Sequence, residues 1–144
     1  MTIRTKLNTL LMLFFVFLFL YSTVGVIAKV NQNWVSVADR IEKALNRALD
    51  TYKEGNAGEA TEDVADAYFG IFEGEEANME IAVRRHLSLK RAAALEKAFT
   101  NIRKAMHSKA SVKDVHQITR DLIEELKKAA HDLDRKGVGF DVGY

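Results

Sequence analysis

Residues 66–85 read D-A-Y-F-G-I-F-E-G-E-E-A-N-M-E-I-A-V-R-R, and how this stretch is read decides the fold. Continued as one helix, it would set Glu75 in the middle of an apolar face, between Tyr68 and Met79. Burying an unpaired carboxylate costs several kcal/mol, and Gly74 costs a helix interior about 1 kcal/mol relative to alanine. Asn78 is a good N-cap, and Glu80 would then sit in the first turn, where the helix dipole favours an acid. The stretch therefore predicts a helix that breaks across Gly74–Asn78 and restarts. Such a break beside several acids is either a structural joint or a cation site.

Outward from this joint the pattern is amphipathic helix. From Trp34 to Glu54, Val37, Ala38, Ile41, Leu45, Ala48, Leu49 and Tyr52 recur every three or four residues, which draws one apolar stripe. Gly55 is placed to stop that helix. A second helix carries Val64, Tyr68, Ile71 and Phe72 on one face. A third starts at the N-cap candidate Ser88 and buries Leu89, Ala92, Leu95, Phe99, Ile102 and Met106. In the fourth, Ser111 and Asp114 resemble a capping box, the stripe is Val115, Ile118, Leu122, Leu126, Ala129 and Leu133, and Gly137 ends it. No stretch alternates with period two. The expected fold is all-α, an antiparallel four-helix bundle whose second helix is interrupted near Gly74–Asn78.

At the N-terminus, Arg4 and Lys6 precede an uncharged run from Leu7 to Ala28. A basic flank before an apolar core reads as a signal peptide, and at roughly 20 residues the run can also span a bilayer as an uncleaved anchor. Either outcome exports the remainder, to the periplasm or the extracytoplasmic face of the cell membrane. The expected organisation is residues 1–28 as signal peptide or membrane anchor, 29–136 as a helical domain and 137–144 as an extended glycine-rich tail. Trp34 is then an interfacial anchor if the membrane segment is retained, or else a staple onto helix one.

Composition narrows the function classes. The 144 residues carry a formal net charge of +1 and no cysteine, which excludes disulfides, thiolate zinc sites, iron–sulfur clusters and cysteine nucleophiles. With no basic patch interleaved with aromatics along the sequence, nucleic acid is not an expected partner. Ser36, Ser88 and Ser111 have no adjacent base, so no enzyme is expected. His107, His116 and His131 are scattered and read as surface residues. Tyr68, Phe69, Phe72 and Phe99 read as core.

With D-A-Y-F-G-I-F-E, N-M-E-I-A-V-R-R and L-K-R-A-A-A-L-E-K-A-F-T-N-I-R-K-A-M in place, the chain resembles the N-terminal extracytoplasmic domain of bacterial oxidase-dependent iron permeases. The likeness runs from Val35 to about Leu133. It implies an accessory role in iron uptake, binding or positioning iron or docking a membrane iron permease. The permease's R-E-G-L-E motif does not occur in the chain, so the expectation is a stand-alone accessory form or a permease truncated at the linker. The acids matching the family are Glu73 and Glu80. Glu76 and Asp66 fall on the same side of a regular helix, and His86 lies beyond Glu80 as a possible nitrogen ligand; oxygen-rich clusters suit iron and hard cations. No di-iron E-x-x-H pair is present. In the competing reading Glu80 and Arg84, spaced i, i+4, form a surface ion pair and Glu73 pairs with a base from helix three. The chain would then be a metal-free helical sensor or scaffold ectodomain tethered to the membrane.

Overall fold

The computed structural model describes residues 33–74 and 77–140. These form five α-helices and one π-helical turn, with no strand among the described residues. The helices are α1 (Trp34–Lys53), α2 (Ala57–Ala67), α3 (Met79–His86), α4 (Leu89–His107) and α5 (Val112–Arg135), and the π turn is Tyr68–Phe72. The chain is all-α. The segment expected to be a signal or anchor lies outside the described residues. Among the described residues no helix is long and apolar enough to cross a membrane.

Each helix packs against the neighbours that its buried stripe requires. α1 packs on α2 and α5, α4 packs on α2 and α5, and the short α3 lies against α4 and α5. Cross-links between helices fix the directions. Glu42 pairs with Lys127 at 2.6 Å, and the Tyr52 hydroxyl donates to the Ala110 carbonyl at 2.6 Å. Together they hold α1 antiparallel to α5. Arg91 and Asp132, 2.6 Å apart, tie the start of α4 to the end of α5.

The helix ends follow from local sequence. Gly55 takes φ +92° after α1 and Gly137 takes φ +68° after α5, a region that only glycine enters without cost. Ser88 and Ser111 cap α4 and α5 by accepting from Arg91 N and Asp114 N. Helical structure stops at Phe72 and resumes at Met79. Asn78 caps the restart from the left-handed region (φ 49°), its side chain accepting from Ile81 N at 3.3 Å.

Three expectations need correction. Leu89 is 60% exposed, because it stands about 100° around α4 from the mean direction of Ala92, Leu95, Phe99, Ile102 and Met106. Phe69 is 59% exposed. The π turn holds one extra residue per turn, shown by Glu73 N donating to Tyr68 O at 2.9 Å, and this rotates the following side chains relative to an α-helical register. The tail is not simply an extended end. Val138 O accepts from Trp34 Nε1 at 2.6 Å, and the Phe140 ring meets Trp34 edge-on, with centroids 4.7 Å apart. Trp34 is fully buried, so its ring is a core anchor under the tail and is not placed at a membrane interface.

Candidate functional site

The π turn and the joint after it bring together side chains from three elements. Tyr68 lies at the start of the turn, and its ring packs on Phe72 and Phe99 at centroid distances of 5.9 and 5.2 Å. That packing aims the phenol at the joint, where its hydroxyl donates to Glu73 Oε1. Gly74 closes the joint from below. A Cβ there would lie 2.2 Å from Gly70 O, so only glycine lets the chain pass this close to the π turn. Gly74 O in turn accepts from Asn78 N at 2.8 Å, which sets up the restart.

Glu80, in the first turn of α3, is 6% exposed and is the only buried carboxylate among the described residues. Arg84, one turn on, donates from Nε to Glu80 Oε1 at 2.6 Å. Its Nη2 reaches Glu80 Oε1 as well, and lies 2.8 Å from Glu96 Oε1 on α4. One guanidinium nitrogen thus touches carboxylates from two helices. The i, i+4 pair expected from sequence forms, but its acid is not at the surface.

The electrostatics follow this crowding. Burial, then the hydrogen bond to Glu73 and the charge on Glu73, push the Tyr68 phenol well above its usual range. The Glu96 carboxyl is also raised, first by burial and then by contact with Glu80; Arg84 pulls the other way without cancelling them. Arg84 is held more firmly protonated, chiefly through its hydrogen bond with Glu80. Among the described residues, the cluster therefore gathers three carboxyl groups and a phenol, with Arg84 as the cation that Glu80 and Glu96 share. It carries excess negative charge in a partly desolvated setting, which favours a proton or a further cation.

Of the residues expected at a site, Glu73 and Glu80 are brought into this cluster. Glu73 is held by Tyr68 rather than by a base from the following helix. Asp66 is exposed on α2 and takes no part in it. His86 is exposed at the end of α3, where its carbonyl accepts from Lys136 Nζ at 2.8 Å. Glu76 lies outside the described residues. Sequence reasoning missed Glu96 and the Tyr68 phenol. The signal for Glu96 was its place beside the buried pair Leu95 and Phe99, where a carboxylate at the stripe's edge needs a partner from another helix. Among the described residues, no group of three or more histidines, aspartates and glutamates is arranged to hold a metal ion. Glu80 and Glu96 are instead turned onto Arg84.

Comparison with known proteins finds no match to any family model, curated protein or solved structure.

Proposed function

We propose that this chain is an exported helical domain serving iron uptake beside a membrane permease, and that the Glu73–Glu80–Glu96 cluster is its cation-handling surface. One observation carries the reading: carboxylates from α3 and α4 converge on a single positive nitrogen, Arg84 Nη2, beside the Tyr68–Glu73 pair. Convergent carboxylate oxygens are the donor set that iron and other hard cations take. The guanidinium already meets the charge requirement that such a cation would meet. Arg84 has a side-chain exposure of 39%, so it can swing to solvent and leave both acids to an incoming iron ion, which is cargo here and not a resident cofactor. The resemblance to the iron permease domain supplies iron as the cargo and the permease as partner; it enters as analogy.

The architecture belongs to the same proposal. α1, the α2–π-turn segment with α3, α4 and α5 make an antiparallel four-helix bundle, with each long helix touching two others across short connections. A run of 22 apolar and uncharged residues from Leu7 to Ala28 supports export, as signal peptide or as anchor.

The second reading is a metal-free sensor or scaffold ectodomain. What favours it is that Glu73, Glu80 and Glu96 each already have a protein partner. Calorimetric titration of the full chain with iron, with Glu73→Gln/Glu96→Gln alongside, separates the two. The iron reading expects saturable binding that the double substitution weakens. Absence of binding, or binding that the substitution leaves unchanged, decides for the scaffold.

A further inference from the structure

A second surface borders the carboxylate cluster and differs from it in sign. A groove of about 500 Å³ lies between the π turn and α4, floored by Tyr68, Phe69 and Phe99 and rimmed by Lys97, Arg103 and Lys104. Seven basic residues of the fold, Arg47, Lys53, Arg84, Arg91, Lys127, Lys128 and Arg135, are ion-paired. None of the three cations on this rim has an ion pair among the described residues. Arg103 Nε is in addition shielded from solvent with no hydrogen-bond partner among the described residues. A shielded N–H donor left unpaired is costly, and the Arg103 side chain is one of those lining the groove. Phe69, 59% exposed, lines the same groove.

We infer that this groove docks an acidic peptide segment of a partner protein, one that carries an apolar side chain among its carboxylates. Charge complementarity selects the sign: carboxylates meet Lys97, Arg103 and Lys104 at the rim. The aromatic floor selects an apolar anchor, since exposed Phe69 and part-buried Tyr68 gain by being covered. The stretch of α4 along the groove, Ala93 to Lys104, measures about 16 Å at the helical rise. That length matches about five extended residues, so the occupant is a segment of chain and not a small anion. Three cations beside Glu96 are too few for a nucleic-acid surface, where affinity is built from many released counterions. The inference stands apart from the iron reading, because neither the groove's rim nor its floor needs metal to act.

The test is fluorescence anisotropy of the full chain with a rhodamine-labelled, glutamate-rich nonapeptide bearing a central phenylalanine, in metal-free buffer. The expected result is saturable, salt-sensitive binding that Phe69→Ala and Lys97→Glu/Lys104→Glu each weaken about tenfold, equivalent to about 1.4 kcal/mol. The charge control Lys113→Glu, outside the groove, leaves it unchanged. A lysine-for-glutamate version of the peptide should bind the Lys97→Glu/Lys104→Glu chain better than the wild type. Circular dichroism of each variant establishes that the helices persist. Three results overturn the inference: no saturable binding; an equal loss with Lys113→Glu; or tighter attachment, through the same residues, to phosphatidylglycerol vesicles, which would make the groove a membrane-surface site.

Discussion

Asp134 caps a helix that begins 100 residues before it: its Oδ1 accepts from Trp34 N at 2.8 Å and its Oδ2 from Val35 N at 3.1 Å. A carboxylate in the last turn of α5 is badly placed for its own helix dipole and well placed for that of α1. Asn33 accepts from Ser36 N at 2.8 Å, so three of the four N–H groups left open at the start of α1 are satisfied. Asp134→Ala is expected to cost about 1–2 kcal/mol, as loss of a side-chain cap does. Asp134→Asn, which keeps one acceptor, should cost less. Urea unfolding followed by the fluorescence of Trp34 measures both. Equal stability of the alanine variant and the wild type would show that this cap contributes nothing.

Gly74 and Gly70 face each other across the joint and should respond oppositely to alanine. At Gly74 the added methyl meets the Gly70 carbonyl oxygen at 2.2 Å. The backbone must move, and overpacking of this kind costs about 1–3 kcal/mol. At Gly70 nothing lies within 4 Å of an added Cβ, so Gly70→Ala should be neutral or stabilising by up to about 1 kcal/mol. Thermal unfolding of the two variants checks the contrast, and a Gly74→Ala chain as stable as the wild type would refute the close approach.

Glu80 is buried and depends on Arg84 for its counter-charge. Arg84→Gln should destabilise the fold, because it takes the counter-charge from a buried acid, and solvent around the part-exposed guanidinium keeps the loss below that of a fully buried pair. Glu80→Gln on the same background removes the unpaired charge and should recover most of the loss. A double-mutant cycle in denaturant gives the coupling. Additive single effects would mean that the contact carries no energy of its own.

Tyr68 should ionise well above the ordinary tyrosine range, because burial and the facing Glu73 both hold its proton on. Its pKa is raised in the folded state, so the unfolded chain gives up its phenol proton first as pH rises. The stability associated with Tyr68 is therefore fully present below about pH 10, the ordinary tyrosine value, and is lost as pH climbs from there towards the folded value. Ultraviolet difference spectroscopy at alkaline pH should resolve this late step. Glu73→Gln should bring it down, since it removes the negative charge that faces the phenol. An unchanged late step in that variant would leave burial alone as the cause.

Local patterning determined much of this molecule on its own. The stripes of α1 and α5, the caps Ser88, Ser111 and Asn78, the stops at Gly55 and Gly137 and the interruption after Phe72 all depend on residues within a turn or two of one another. Short-range hydrogen bonding and helical period are enough to read them. What lay beyond reach depends on which helices become neighbours. Glu96 joins Glu80 only because α3 and α4 pack side by side, Arg84 and its second acid standing 12 positions apart in sequence. Asp134 reaches Trp34, and Val138 covers the same ring, only because α5 returns antiparallel to α1. Phe69 is exposed beside Tyr68 because one helical step carries it about 100° round, off the face of Val64, Tyr68, Ile71 and Phe72. The basic rim of the groove and Phe99 come from α4 while Tyr68 and Phe69 come from the π turn, so no linear reading could assemble them. Sequence by itself settled that the chain is helical and where the helices bend. Tertiary packing decided which acids share a cation, because a buried charge takes its partner from whatever helix lies against it.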